Sequence, residues 1–437
     1  MSRKLISSGT KSFGFIPATW KVTRLKSILA LAGERNSGDR ELLSVYLDKG
    51  VIAYSESTGL QVHKPSEDLS NYQNVEIGDF VLNNQQAWRG SVGVSRHRGI
   101  ISPAYLIYRF TEDVDPIFMN YLLRDCSMVQ QYETASRGVG TIQRNIYAPW
   151  LLNASIILPP VDEQHRIAAF LDRRCAEIDS TIAETQLTID EYTKLKQSII
   201  TEATTRGVST EHKMVGSDVT WIDAIPTTWD VVRLKSKFSF GKGLPITKDN
   251  LVESGVPVIS YGQIHSKLTN GVELQPHLFR YVEEKYLTDN PQSLVHKGDF
   301  IFADTSEDFN GCGNAVYVSE EMTLFAGYHT IILFSKEQDD NKYIAYLLQT
   351  DMWRSQIRSR VSGVKVFSIS RKILGDATII LPPMDEREKI VAYLDKKCAA
   401  IDRIIAAKQQ LIAEMEVYKK SVIYEYVTGK KEVPACQ

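Results

Sequence analysis

Apolar residues recur along the chain with two different spacings. Between 158 and 207 a narrow apolar stripe runs through an otherwise charged segment. Leu171, Ile178, Thr185, Tyr192 and Ile199 lie seven apart, as do Cys175, Ile182, Ile189, Lys196 and Ala203. The pattern returns between 381 and 430, as Leu394, Ile401, Lys408, Met415 and Val422 with Cys398, Ile405, Ile412, Lys419 and Tyr426. A seam carried through about five heptads predicts a long helix that buries one stripe. Each helix follows a Pro-Pro pair that cannot lie inside it, with Asp162 or Asp385 expected as N-cap and Glu388 in the capping-box position of the second copy. The helices close alike, on TTRG (204–207) and VTGK (427–430). Elsewhere the runs SPAYLIYRF (102–110) and HTIILFS (329–335), rich in β-branched and aromatic residues, predict strands, and 115–136 and 341–360 carry helical periodicity.

The chain repeats itself. LPPVDEQHRIAAFLDRRCAEID (158–179) returns as LPPMDEREKIVAYLDKKCAAID (381–402), with 13 of 22 positions identical at an offset of 223. IPATWKVTRLKS (16–27) returns as IPTTWDVVRLKS (225–236) at an offset of 209. Gly78-Asp79-Phe80 with Gly93 matches Gly298-Asp299-Phe300 with Gly313, and Ser136-Arg137 with Gly140 matches Ser359-Arg360 with Gly363. Between these anchors the two halves differ almost completely. Related scaffolds therefore carry different surfaces.

The boundaries that follow are a first mixed domain over 1–157, a long helix over 158–207, a second mixed domain over 208–380, a second long helix over 381–430, and a tail over 431–437. The fold class is α+β. Each helix is too polar for burial in a core, so the economical arrangement is an antiparallel pair. Its expected interface is Leu171, Ile178, Ile182, Ile189 and Ile199 against Leu394, Ile401, Ile405, Ile412 and Val422. A helix running from Glu163 to Arg206 would be a rod of about 66 Å.

Composition narrows the classes. The chain has 437 residues, 43% hydrophobic and 24% charged, which excludes whole-chain disorder. Five cysteines without CxxC spacing argue against a zinc site or a disulfide framework. Neither a signal-peptide core nor a membrane-length apolar run occurs, and the expected compartment is the cytoplasm. A net charge of −2 supplies no global field for nucleic acid. Residues 1–158 hold 17 Lys+Arg against 14 Asp+Glu, and 216–381 hold 17 against 20, so any DNA contact must be local.

The quoted LPPxDE segments, each opening a long helix behind a variable domain and accompanied by IPxxW and Gly-Asp-aromatic segments in the same order, resemble the specificity subunit of type I restriction-modification systems over the whole chain. Glu386-Arg387 departs from the more typical Glu163-Gln164. The resemblance implies two target-recognition domains separated by two helices in an antiparallel coiled coil, each domain reading half of a bipartite, asymmetric duplex site. It also implies a non-catalytic chain that joins two methyltransferase subunits and restriction motor subunits, with S-adenosylmethionine, ATP and Mg held by those partners and none by this chain.

The residues carry no catalytic motif of their own. No GxxxxGK[ST] loop occurs, Gly241-Lys242-Gly243 lacks phosphate-cradling spacing, and His165, His265, His296 and His329 stand isolated without metal-ligand spacing. Candidate DNA contacts in the first domain are Gln85, Arg89, Arg96, Arg98, Arg137 and Arg144, since Arg pairs with guanine O6/N7 or phosphate and Gln with adenine. In the second domain the segment 304–310 is poor in cations, and Arg358, Arg360, Lys365 and Arg371 hold the positive charge. Lys242, Gln263, Thr305, Asn310, Arg360 and Lys365 are the candidates there. For each of these the bland alternative is a solvated loop residue. A coiled-coil scaffold without DNA specificity is the second reading of the chain, and an enzyme with an unrecognised site the third.

Overall fold

The computed structural model describes residues 3–434 other than 37, 39, 58–64, 67, 140–142, 210–211 and 338–340; Gly140 and Cys436 of the sequence patterns lie outside the described residues. The chain forms two compact units, Met1–Gln186 with Gln409–Gln437, and Leu187–Lys408. Both long helices are continuous, Val161–Arg206 and Met384–Val427, and the division falls inside each.

Each unit is built on a four-stranded antiparallel sheet of the same order. In the first unit the neighbours run Leu29–Ala32, Tyr105–Phe110, Phe80–Asn83, Val92–Val94; in the second, Phe238–Lys242, Thr330–Ser335, Phe300–Ala303, Ala315–Tyr317. The Gly-Asp-aromatic segments open the third strand of each sheet. Gly78 and Gly298 take φ of 90° and 98°, a turn that favours glycine. The aspartates behind them are buried ties: Asp79 accepts from Glu76 N and binds Arg109 through both oxygens, and Asp299 accepts from His296 N and Ser335 N. Burial pushes the Asp299 carboxyl up, against the pull of those amides. The second unit adds a second four-stranded sheet, Arg280–Val282, Val256–Ile259, Leu324–Ala326, Leu294–Val295, whose middle pair is parallel.

The helical segments expected over 115–136 and 341–360 are each two helices: Pro116–Arg124 and Cys126–Thr134, then Lys342–Leu348 and Asp351–Arg358. Asp125 and Thr350 break them by taking extended backbone and capping the second member, Asp125 Oδ1 accepting from Ser127 N (2.9 Å) and Thr350 Oγ1 from Trp353 N (3.2 Å). The expected caps at Asp162 and Asp385 are also corrected. The long helices begin one residue earlier, so these aspartates lie in the first turn, where they complement the positive end of the helix, and Glu388 closes no capping box.

In both units the helices run antiparallel. In the first, Phe170 meets Tyr426 (ring centroids 4.4 Å apart) and Asp179 meets Lys419 Nζ at 2.6 Å. In the second, Lys196 Nζ binds Asp402 at 2.7 Å, and Gly207 lies against Glu386. Leu171, Ile178, Ile189, Leu394, Ile401 and Val422 are buried on this seam, and Ile182, Ile199, Ile405 and Ile412 are half-buried. Two of the lysines in seam positions, Lys196 and Lys419, extend to carboxylates of the facing helix while the stem covers apolar surface.

The repeated motif residues latch each domain to its helix. Trp20 Nε1 donates to Glu163 Oε2 (3.1 Å) and Trp229 Nε1 to Glu386 Oε2 (3.0 Å). The other oxygen of each carboxylate faces a nitrogen-bearing side chain at the same place in the repeat. Arg3 binds Glu163, and His212 Nε2 lies 2.7 Å from Glu386 Oε1 at an angle too poor for a directed hydrogen bond. Nine residues further on, the Leu-Asp of each helix accepts a tyrosine: Tyr121 to Asp172 (2.8 Å) and Tyr346 to Asp395 (2.7 Å), backed by Arg96 and Lys342. Burial, then neighbouring acid groups, pushes the Tyr121 and Tyr346 hydroxyls far up, so both stay protonated donors. The one departure in the motif has a structural equivalent. Gln164 donates to Pro159 O (2.9 Å), and Arg387 donates to Pro382 O (2.7 Å).

Candidate nucleic-acid interface

In the first unit a turn and a hairpin meet beside the sheet. The turn over 83–91 is closed by Asn83 Oδ1, which accepts from Gln85 N (3.1 Å), and by Gly90 at φ 103°. Asn84 accepts Ile146 N through both its carbonyls, which fixes the hairpin Ser136–Val139/Gln143–Ile146 next to it. Trp88 Nε1 donates to Gln85 O (3.0 Å), and over its ring stand Arg89 at 4.7 Å and Arg144 at 5.1 Å. Arg137 lies over Tyr147 at 3.6 Å and Trp150 at 4.4 Å, and Trp150 is 47% exposed. Arg144 also pairs with Glu133 at 3.3 Å. Rings against these guanidinium groups hold their planes in place.

The structure thus gathers Gln85, Arg89, Arg137 and Arg144 and separates Arg96 and Arg98 from them. Arg96 is committed to Asp172 of the long helix, and Arg98 pairs with Glu76 at 2.7 Å alongside Arg40. Arg96 and Arg89 do line one cleft of about 1250 Å³ within this unit, but the acids Asp48, Asp125, Asp172, Asp179 and Glu416 nearly balance its lysines and arginines, so it is not a strongly basic groove. Trp88, Tyr147 and Trp150 were not among the expected contacts. Trp88 directly before Arg89 was the one signal available, since the rings that meet Arg137 and Arg144 are not adjacent to them in the chain.

In the second unit the candidates fall into two neighbouring groups. Thr305, Asn310, Arg360 and Lys365 belong to a loop pair. Strand Thr305–Ser306 pairs with Phe367–Ser368, Phe309 packs edge-on to Phe367 at 5.3 Å, and Arg358 donates to Asn310 O (2.7 Å) and binds Asp351. Arg360 and Lys365 are exposed, as is Val364 between them at 95%. Gln263 and Lys242 lie apart from that loop. Gln263 Oε1 accepts Ser260 N (3.1 Å) in a capping box, and Lys242 ends its strand exposed, its carbonyl accepting from Ser293 Oγ. His265 joins the groups, its Nε2 donating to Thr305 O at 2.8 Å and its Nδ1 facing Asn314 Nδ2 at 3.1 Å. The histidines taken as isolated are not all so. His265 and His329 share Tyr261 as a ring neighbour, at 6.3 and 5.4 Å.

Among the described residues no group of His, Cys, Asp and Glu is placed to hold a metal ion, and no helix is long and apolar enough to cross a membrane.

Two scaffolds of one design with two unlike, ring-bearing polar faces define a modular recognition protein. Residues 226–416 match the family model of the type I restriction modification DNA specificity domain, and the internal repeat extends that likeness to the first half. The specificity subunit of type I restriction enzyme MjaVIII from Methanocaldococcus jannaschii is 24% identical over 345 residues, 77% of this chain and 75% of that protein. A second protein of that organism, named for the specificity subunit of enzyme MjaX, is 25% identical over 457 residues, covering 96% and 95%. A chain from a solved structure described as showing complex assembly and conformational transition of the type I system has the same fold, with a TM-score of 0.69 at 18% identity, covering 95% of this chain and 99% of that one. Residues 226–416 thus carry a type I restriction modification DNA specificity domain, and the chain is similar over most of its length to specificity subunits of type I restriction enzymes.

Proposed function

We propose that the chain reads a bipartite, asymmetric duplex site, one half through each unit, and holds the partner subunits that act on it. The carrying observation is the preservation of the buried latch in both copies beside the divergence of the exposed faces. Trp20, Glu163, Tyr121 and Asp172 have equivalents in Trp229, Glu386, Tyr346 and Asp395, whereas the Trp88/Arg89/Arg144 cluster has none in the second copy. A shared frame with unlike faces suits two different short sequences. Neither face is strongly basic, so positive charge on partner subunits would supply much of the phosphate contact. Leu187, Leu411 and Val417 lie exposed on the long helices, at 64%, 43% and 68%, and suit docking by such subunits. In this reading two methyltransferase subunits bring S-adenosylmethionine, restriction subunits bring ATP and Mg, and the assembly works in the cytoplasm. A scaffold without DNA specificity is the competing function.

Selection of randomised duplexes by the full chain, alone and with its methyltransferase subunits, tests this. Two conserved half-sites at fixed spacing are expected, and exchanging residues 1–157 for the domain of another family member should change only one. Arg89→Ala should cost about 1 to 3 kcal/mol on the selected duplex and little on a scrambled one if Arg89 reads guanine, and equal amounts on both if it contacts phosphate. Absence of any selected sequence would favour the scaffold.

A further inference from the structure

The second unit carries a ring cluster that neither charge nor spacing announces. Tyr261, Tyr328 and His329 stand with centroids 5.4 Å (Tyr261 to His329), 5.6 Å (Tyr261 to Tyr328) and 6.0 Å (Tyr328 to His329) apart. They come from segments remote in sequence. The parallel pairing of Val256–Ile259 with Leu324–Ala326 releases both chains at the same end of the sheet, and each presents its tyrosine within two residues of the strand. Close packing fixes the two exits: a Cβ on Gly327 would strike Ser260 Oγ, and one on Gly243, beside Lys242, would strike Gly327 O and Thr330 Oγ1.

His329 is the only non-glycine residue with positive φ among the described residues, at 54°. Glycine would hold such a turn without strain, histidine is among the few other residues that adopt it, and non-glycine residues in this conformation gather where a ligand is bound. Asp304 holds the residue twice. Its N–H donates to His329 O (3.1 Å), and its Oδ1 lies 3.3 Å from His329 Nδ1 without the direction of a good hydrogen bond. The side chain is 57% exposed, and its Nε2 makes no hydrogen bond among the described residues. His265, by contrast, has both ring nitrogens engaged with Thr305 and Asn314.

A proton on Nδ1, facing the carboxylate, leaves Nε2 as an acceptor. In the major groove the amino donors are adenine N6 and cytosine N4, while guanine and thymine present acceptors. Resting on the reading above, we propose that His329 is a specificity-determining residue of the second half-site, its Nε2 accepting from the amino group of an adenine or cytosine while Tyr261 and Tyr328 fix its ring.

The test is selection of randomised duplexes by the full chain carrying His329→Gly, which keeps the turn and removes the ring, or His329→Lys, whose ammonium donates but cannot accept. A thermal melt serves as folding control, and if one variant does not fold the other carries the test. The expected result is a roughly tenfold loss of discrimination at one base pair of one half-site, with the other half-site and binding to scrambled duplex unchanged; Tyr328→Phe should retain most of the discrimination. Unchanged preference in both halves, or equal loss on specific and scrambled duplexes, overturns the assignment and leaves the bipartite reading standing. A wild-type chain that selects no sequence removes that reading and this inference together.

Discussion

Gly429→Ala is expected to destabilise the first unit by about 3 kcal/mol, through contacts far from either polar face. Gly429 follows the second long helix at φ 71°, where an added Cβ is strained, at about 1 kcal/mol or more. The same Cβ would also fall against Pro17 Cδ, 2.7 Å from Pro17 Cγ and 3.1 Å from Trp20 Cη2. Neither obstacle can swing away. The Pro17 ring is fixed to a paired strand, and the Trp20 indole is buried and tied to Glu163. Overpacking of this kind costs about 1 to 3 kcal/mol, offset by about 0.4 to 1 kcal/mol from the stiffer unfolded chain. Gly9→Ala is the control, because Gly9 has the same φ of 70° with nothing within 4 Å of the added carbon. It should cost only about 1 kcal/mol. For a unit of this size about 3 kcal/mol lowers the melting temperature by roughly 6 to 12 °C, resolvable by calorimetry. Equal melting of the two variants would refute the wedge of the helix end against Pro17 and Trp20.

The seam makes a second prediction. Ile189→Asp, at a seam position 5% exposed, should cost about 3 kcal/mol by burying a carboxylate without a partner, whereas Leu187→Asp, at a position 64% exposed, should stay within about 0.5 kcal/mol; comparable losses in denaturant titrations would count against the pairing. Tyr346→Phe removes the donor to Asp395 and should cost about 1.5 kcal/mol, and Tyr121→Phe a similar amount in the other unit; a neutral effect in both would show that the latch is held by apolar packing alone. Removing seven residues from both long helices at matching positions should shorten the preferred gap between half-sites by about 10 Å, roughly 3 base pairs, with each half-site unchanged; an unaltered spacer in methylation mapping would sink the idea that the helices set it.

The long helices were legible because a seven-residue period over five turns of the pattern has no other structural solution, and the lysines at seam positions did not break it. Where one helix gives way to another the signal was present but weaker: Asp125 and Thr350 are ordinary capping residues inside a periodic apolar run, and the run outweighed them. The latches were half legible. Trp20 and Glu163 each recur, but at offsets of 209 and 223, and only the fold shows that the repeat keeps them because they touch. The polar faces were least legible, for a physical reason. Residue type alone made Arg89, Arg137 and Arg144 candidates, and the fold brings them to one ring-bearing face, whereas Arg96 could not be recognised as a structural cation until Asp172 was beside it. His329 was no such candidate. Its chemistry depends on Tyr261, which reaches it through a strand pairing more than sixty positions apart in the chain, and on Asp304, brought by the pairing of Ala303 with Thr330, so only the three-dimensional arrangement distinguishes it from the surface histidines His165 and His296. The two copies thus diverge where contacts come from chain segments joined by pairing, and stay alike where a buried acid must meet its donor.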